Sequence, residues 1–206
     1  MFALVESGSI TKYMSGNRGI TIGDIQYPKS IFTLWSASQR EAIGIYEVEM
    51  DNSKKKDEEW YINTNVTYSF GGGKVTGAYG DATAKAHADT LYTAQDETDG
   101  KGTEGEVKSR GLKYNLIQKI KKQAAAELQN TDWYVIRKAD AGTAVPSAIT
   151  THRAAVRTKA AEMETAITNA SDTPALETLY TYVNTADEGD PVVMERPLGE
   201  LPTLEV

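Results

Sequence analysis

The chain has 206 residues, of which 40% are hydrophobic and 25% charged, so one domain or two small ones can form a core. Its formal net charge of −7 disfavours general nucleic-acid binding and attachment to an anionic membrane, since both require a basic surface. The absence of cysteine excludes disulfides, thiolate metal sites and cysteine nucleophiles. The first residues lack the basic and apolar pattern of a signal peptide, so we expect no cleaved leader. From the net charge we expect no nucleic-acid partner and no membrane partner.

Residues 1–94 are predicted to form a β-rich domain. Short apolar runs at residues 2–5 and 10–13 flank a group of turn residues, which is typical of a hairpin. The segment 60–70 alternates and is rich in β-branched and aromatic residues, so it predicts a strand. The glycines at 71–73 predict a hairpin turn rather than a phosphate loop, because the downstream Gly-Lys-Ser/Thr of a nucleotide site is missing.

Two short helices are predicted within the same domain. Ser36 is suited to cap a helix that runs to Ile43, with Gly44 at the left-handed position that ends it. The alanine-rich segment 82–94 is predicted to form the second helix. The polar segment 95–105 then predicts a linker, because its acids lack the ligand spacing of an EF-hand calcium loop.

From residue 106 to 186 the hydrophobic period becomes helical. The first predicted helix covers 111–129, and the second begins at Pro146. The apolar stripe of the first helix is Leu112, Leu116, Ile120, Ala124 and Leu128. The apolar stripe of the second helix is Ile149, His152, Val156, Ala160, Met163 and Ile167. Thr173 before Pro174 predicts a capped third helix.

The connection between the two long helices contains Thr131-Asp132-Trp133, followed by an apolar segment, 134–137, that predicts a strand. Trp133 is a large anchor suited to a core or to a protein contact, and core packing is the default expectation. His152 lies on the apolar stripe, so it is expected to pack rather than to act in a Ser-His-Asp arrangement.

Arg153 and Arg157 lie four residues apart and therefore on one face of the second helix. Two roles are open for them, phosphate binding and ion pairing across the hairpin with Asp132 and Glu127. Pairing is favoured because the acids are near in the proposed fold. No catalytic, cofactor-binding or metal-binding residue is predicted anywhere in the chain.

Residues 187–206 are predicted to form an extended C-terminal tail. Three prolines prevent a helix, and the apolar side chains are more numerous than a free tail needs. Such a segment typically lies in a groove or adds a strand to a partner. Pro191, Val193, Leu198 and Leu204 are therefore predicted contact residues.

Together these patterns predict the α+β class. An N-terminal antiparallel sheet region (1–94) is followed by a linker (95–105). A helical hairpin with a third short helix (106–186) comes next, and the extended tail (187–206) ends the chain.

Two elements resemble a known family. A Thr131-Asp132-Trp133 element after a helix, followed by His152-Arg153-x-x-Val156-Arg157, is similar to the C-terminal region of tail assembly chaperones and tail-fibre assembly proteins of tailed phages. In that family the second element reads Tyr-Arg-x-x-Leu-Arg. Here His152 stands in place of the tyrosine, and the connection is longer because 134–137 is inserted.

The N-terminus, Phe2-Ala3-Leu4-Val5-Glu6-x-Gly8-x-Ile10-x-Lys12-Tyr13, also resembles small phage tail-fibre and fibre-assembly proteins, and the whole chain resembles proteins of marine phages.

The resemblance implies a non-enzymatic structural protein of a tailed bacteriophage, made in the host cytoplasm and located in the virion tail. The resemblance by itself favours a tail-fibre assembly chaperone that is not retained in the particle. The apolar, proline-spaced tail favours a fixed contact, so a tail or tail-fibre subunit or adaptor is the preferred expectation and the chaperone is the alternative. Other phage tail or fibre proteins are the expected partners in both cases, and a homo-oligomer is compatible with either. The family carries no catalytic residues and implies no cofactor.

Overall fold

The computed structural model describes residues 1–204 and divides the chain into two compact units. The first unit is Met1–Thr83, and the second begins at Ala84. Strands dominate the first unit and long helices the second, so the predicted α+β class is confirmed. The boundary between the units lies ahead of the predicted linker at 95–105. None of the helices described between residues 1 and 204 is long and apolar enough to cross a bilayer.

The first unit contains most of the strands. The last strand that begins in this unit ends at Ala84, which is the first residue of the second unit. Its elements are β1 (Phe2–Glu6), β2 (Ser9–Met14), β3 (Ile20–Ile22), β4 (Ile25–Tyr27), α1 (Ile31–Leu34), α2 (Ala37–Glu41), β5 (Ile45–Asp51), β6 (Tyr61–Ile62), β7 (Thr67–Gly71), β8 (Lys74–Ala78) and β9 (Thr83–Ala84).

A five-stranded sheet with the order β2-β1-β5-β8-β7 organises this unit. Strand β1 pairs antiparallel with β2 and β5, and β7 pairs antiparallel with β8. The β5–β8 pair is parallel, so the sheet is mixed where an antiparallel one was predicted. The chain reverses its direction once between β5 and β7 and again at the β7–β8 turn. Strand β8, which lies beside β5, therefore runs in the same direction as β5.

Both predicted hairpin turns are confirmed, and each has two central residues with positive φ, as a type I′ turn requires. Ser7 (49°) and Gly8 (77°) connect β1 to β2, and Gly72 (59°) and Gly73 (76°) connect β7 to β8. The single strand predicted over 60–70 is wrong in extent, because β6 and β7 are separate strands.

Alternating residues of β1 build a core on each face of the sheet. On one face Leu4 packs with Ile20, Ile45 and the α1 residues Ile31 and Phe32. The other face has a smaller cluster, which consists of Ala3, Val5 and Val75 with Tyr46 and Phe70 packed against it.

The short helix predicted after Ser36 is α2, which ends at Glu41. The Ser36 hydroxyl accepts from Gln39 N, and the Gln39 side chain accepts from Ser36 N, which is a complete capping box. Gly44 has a φ of 78° and lies so close to β1 that a Cβ would be 2.6 Å from Val5 O. Its left-handed conformation and this close approach both require glycine.

The second unit contains the long helices and two short strand pairs. Its elements are β10 (Thr90–Leu91), α3 (Ala94–Thr98), β11 (Val107–Ser109), α4 (Leu112–Gln129), α5 (Asp132–Ala141), α6 (Ser147–Asn169), α7 (Thr173–Tyr180), β12 (Val183–Asn184) and β13 (Met194–Glu195).

The segment before α4 differs from the prediction. The helix predicted over 82–94 is wrong, because this stretch contributes the short strands β9 and β10. The region predicted as a linker contains α3, which a capping box between Thr93 and Asp96 begins. Alanine content suggested a helix, but the carbonyls of Ala86 and His87 accept from the distant Leu112 N and Lys113 N, and β10 pairs with β11, so this backbone is extended.

The predicted helical hairpin is formed by α4 and α6, which pack against each other. In α4 the buried residues are Leu116, Ile120 and Ala124. In α6 all six residues of the predicted stripe are buried: Ile149, His152, Val156, Ala160, Met163 and Ile167. The two end residues of the predicted α4 stripe, Leu112 and Leu128, are only partly buried. Spacings of three and four keep side chains on one face, so the sequence identified the α6 stripe in full and the middle of the α4 stripe.

The third helix, α7, has a different cap from the predicted one. Asp172 is the N-cap, and its carboxylate accepts from Ala175 N at 2.8 Å. The Thr173 hydroxyl instead donates to Lys85 O at 2.7 Å, and the Thr173 side chain is buried. This hydroxyl therefore joins the start of α7 to the segment that precedes α4.

The C-terminal segment is not extended throughout. Strand β13 pairs with β12, and beyond it Leu198 is 2% exposed and donates from its N–H to Leu179 O at 3.0 Å. The Arg196 guanidinium lies over the rings of Tyr180 and Tyr182. The tail therefore folds back onto the end of α7.

Candidate functional site

The Thr-Asp element and Arg153 of the family resemblance meet at the corner between α4 and α5. Arg153 Nη1 donates to Leu128 O and to Thr131 Oγ1, each at 2.7 Å, and lies 2.9 Å from Asp132 Oδ1. The Arg153 side chain is only 11% exposed. Its guanidinium thus satisfies a carbonyl at the end of α4, where the helix leaves acceptors unpaired, and neutralises a carboxylate in the first turn of α5.

Thr131 is the buried residue of this corner. It is 1% exposed, and its hydroxyl donates to Leu128 O at 2.9 Å while accepting from Arg153. The predicted pairing of Arg153 with Asp132 is confirmed. These residues therefore fix the direction in which α5 leaves α4.

The second arginine lies outside the corner. Arg157 is exposed, and its guanidinium donates only to Arg153 O at 3.4 Å. Within the described part of the chain no acid lies within ion-pair distance of Arg157, so its predicted pairing is wrong. The expected partner Glu127 lies 3.6 Å from His152 Nε2 instead, and His152 is buried in the stripe as predicted.

Helix α5 replaces the strand predicted over 134–137. A run of apolar and aromatic residues suggested a strand, but Asp132 begins a helix here and Gly142, with a φ of 71°, ends it. None of the α5 residues is buried. The default expectation of core packing for Trp133 is therefore wrong, since its side chain is 60% exposed.

The exposed apolar residues of α5 lie beside a cation. Trp133 and Ile136 are 60% and 64% exposed and lie three residues apart, on one face of the helix. The Arg137 guanidinium lies 5.3 Å from the Trp133 ring centroid and 5.6 Å from that of Tyr134. Arg137 Nε is buried and has no hydrogen-bond partner in residues 1–204. We call Trp133, Ile136 and Arg137 the α5 face.

A second exposed apolar group begins in the loop between β12 and β13 and extends into β13. Val192, Val193 and Met194 are 71%, 46% and 52% exposed. Asn184 Oδ1 accepts from Val193 N at 3.0 Å and from Ala186 N at 3.2 Å, so both ends of this loop are fixed. We call residues 185–195 the acidic loop, because its charged residues are Asp187, Glu188, Asp190 and Glu195.

The four predicted contact residues of the tail have different environments. Pro191 and Val193 are exposed in the acidic loop. Leu198 is buried against the end of α7, and Leu204 is partly buried. Only the first two are therefore accessible to a large partner.

The carboxylates with shifted pKa values have structural roles. The pKa of Asp96 is lowered to about 2, first by the hydrogen bond from Lys108 and then by that from Thr93 N. The pKa of Asp89 is lowered chiefly by the hydrogen bond from Gly111 N and by that from Arg110. Both groups are thus held ionised as anchors of the segment before α4. Among the described residues no group of three or more potential metal ligands converges.

Sequence reasoning did not find the α5 face or the acidic loop as exposed surfaces. A signal for the first was present, since Trp133, Ile136 and Arg137 have helical spacing and Asp132 precedes them as a first-turn acid. No local signal separates Val193 from Leu198, because burial of Leu198 depends on the distant α7 backbone.

The second unit thus contains a fixed corner, an exposed helix face and an exposed acidic loop. Comparison of the chain with protein-family models, with curated proteins and with solved structures gives no match.

Proposed function

We propose that this protein is a non-enzymatic structural component of a tailed bacteriophage, a tail or tail-fibre subunit or adaptor that makes protein–protein contacts in the virion. The observation that carries the proposal is an exposed tryptophan on a helix whose exit from the fold is fixed by Arg153. The resemblance of the Thr131-Asp132-Trp133 and Arg153-x-x-x-Arg157 elements to phage tail assembly proteins supports the phage context.

The α5 face has the properties of a contact site. Tryptophan and arginine are enriched among residues that dominate binding energy, and here Trp133 and Arg137 lie together beside Ile136. The corner fixes the start of α5 before any partner binds, so little ordering of the backbone is required on association. A large apolar side chain that is not needed for the core is thus available to a partner.

The second candidate is a tail-fibre assembly chaperone that leaves before the particle is complete. The same family elements support it, because they resemble assembly proteins as well as fibre proteins. Both candidates use the α5 face, and they differ in whether the contact persists in the virion.

Mass spectrometry of purified particles tests the first candidate against the second. A structural subunit is expected at a fixed stoichiometry relative to other tail proteins. Its absence from infectious particles, together with its presence in the infected cell, would support the chaperone and reject the structural subunit.

A substitution in the phage genome tests the contact site. Trp133→Ala is expected to lower the yield of complete particles, because it removes the largest exposed apolar side chain of α5. Leu34→Ala is the matched control, since Leu34 is 79% exposed but lies in the first unit. Equal yields from both variants would contradict a contact role for Trp133.

A further inference from the structure

We propose that a pocket beside the first hairpin of the five-stranded sheet binds a phosphate group. The pocket has a volume of about 330 Å³ and is lined by residues 12–20, which comprise the end of β2, the loop that follows it and the start of β3. It lies within the first unit and shares no residue with the α5 face, so the proposal does not depend on a contact role for α5.

The charged residues that line this pocket are two cations, with no acid among residues 12–20. The side chains of Lys12 and Arg18 are exposed, and neither forms an ion pair or a hydrogen bond within residues 1–204. In a chain whose net charge is −7, this is a locally positive site. A phosphate monoester carries a charge of about −1.5 to −2 at neutral pH, so it matches two cations more closely than a carboxylate does.

The loop between β2 and β3 supplies further hydrogen-bond donors. In the described part of the chain, the backbone N–H groups of Gly16, Asn17 and Arg18 have no acceptor. Ser15 Oγ donates to Asn17 Oδ1 at 2.7 Å, which leaves the side-chain amide nitrogen of Asn17 as another donor. Successive N–H groups in a turn form a concavity that attracts anions, so backbone and side chains favour the same kind of ligand.

The core of the first unit fixes the shape of this loop. Gly16 has a φ of 77°, and a Cβ at this position would lie 2.9 Å from a ring carbon of Phe2. On either side of the loop, Met14 packs against the core cluster that contains Ile20. The loop is therefore held against packed side chains before any ligand arrives, which reduces the ordering that binding requires.

Lys12 is placed on the same side of the sheet as the loop. It is paired with Leu4 of β1, and residues opposite each other in an antiparallel pair lie on one face. Leu4 belongs to the core cluster against which the loop packs. Lys12 and Arg18 thus reach the pocket from the strand and from the loop, and the planar guanidinium of Arg18 is able to bind two phosphate oxygens at once.

The phosphate group has two possible sources, inorganic phosphate and a small phosphomonoester. The volume of about 330 Å³ lies near the lower end of the range of roughly 300–1,000 Å³ that small-molecule sites have. It therefore leaves room for a small organic group beside the phosphate. Glycerol 3-phosphate is a suitable phosphomonoester probe, and glycerol is its uncharged control.

Two-dimensional amide NMR of the full chain, titrated with each probe at constant ionic strength, tests the proposal. Both phosphate probes are expected to shift the amide resonances of residues 16–18 in a saturable manner, and glycerol is expected to leave them unchanged. Tighter binding of glycerol 3-phosphate would identify a phosphomonoester as the source, and tighter binding of inorganic phosphate would identify the free ion. Absence of saturable shifts with both probes overturns the proposal.

Charge-matched variants, each verified as folded by circular dichroism, locate the site. Arg18→Gln and Lys12→Gln are each expected to weaken the affinity for the better phosphate probe about tenfold, because each removes a charge-assisted hydrogen bond. Lys29→Gln removes the same charge from an exposed residue of the first unit outside the pocket, and its affinity should match that of the unchanged chain. Equal weakening in Arg18→Gln and Lys29→Gln would show a response to net charge alone and overturn the proposal.

Discussion

At the scale of single residues, Arg153 links helices that are separate along the chain. Its guanidinium contacts the end of α4, the buried Thr131 hydroxyl and the first carboxylate of α5, while its own backbone belongs to α6. One side chain thus connects three helices.

We predict that Arg153→Met lowers the free energy of unfolding by about 2–3 kcal/mol, because it removes the charged donor shared by Leu128 O and Thr131 Oγ1 and leaves the Asp132 carboxylate without its cation. Urea denaturation followed by circular dichroism measures the change. Arg157→Met is the matched control on the same helix, and its effect should stay within about 0.5 kcal/mol because Arg157 is exposed. Equal losses in the two variants would show that the corner is not stabilising.

The lowered pKa of Asp96 predicts how the stability of the protein changes in acid. Its folded-state pKa is lowered to about 2 by Lys108 and Thr93, so its contribution to stability is fully present above its ordinary pKa near 4. That contribution is lost as the pH falls from about 4 towards 2. Melting temperatures measured between pH 2 and 6 should therefore fall less steeply for Asp96→Asn than for the unchanged chain.

The control for this prediction is Asp24→Asn in the exposed β3–β4 turn. Its acid dependence should match that of the unchanged chain. If Asp96→Asn shows the same steep loss below pH 4, the ionised Asp96 does not contribute to acid stability.

At the scale of elements, the stripe of α6 is the main core of the second unit, and Met163 is 1% exposed within it. Met163→Ala is expected to cost roughly 2–5 kcal/mol, from lost burial and the cavity that remains. Chemical denaturation measures it, with Gln123→Ala on the exposed side of α4 as the control. A loss below 1 kcal/mol would indicate that the α4–α6 interface collapses around the missing side chain.

The elements also show how far sequence reasoning reaches. The six-residue stripe of α6 was predictable because a helical period is a local property. The parallel β5–β8 pair was not, because it depends on where a hairpin inserts into a sheet. Helix α5 was mistaken for a strand because Trp133 and residues 134–136 form an uninterrupted apolar run, which periodicity alone does not assign.

The candidate site was only partly predictable for a related reason. Pairing between Arg153 and Asp132 was predicted from their proximity across a hairpin, and the structure contains this ion pair. The exposure of Trp133 did not follow, because burial depends on whether another element covers α5. A large aromatic residue has the same sequence signature in a core and at an interface.

At the scale of the whole molecule, the long helices and the α5 face belong to the second unit. A fragment of residues 84–206 is therefore expected to keep its helical circular dichroism. A fragment that loses its helical signal would show that the first unit is required for the fold of the second.

The unequal exposure of the tryptophans gives the protein its own optical reporter. Trp60 is 3% exposed, Trp35 is partly buried and Trp133 is 60% exposed, so acrylamide should quench the emission of Trp133 more readily than that of the other two tryptophans. When the α5 face is covered, the indole leaves water, its emission shifts to shorter wavelength and the quenching declines. Intrinsic fluorescence can thus follow the occupancy of α5 without a label, and the Trp133→Ala chain supplies the baseline.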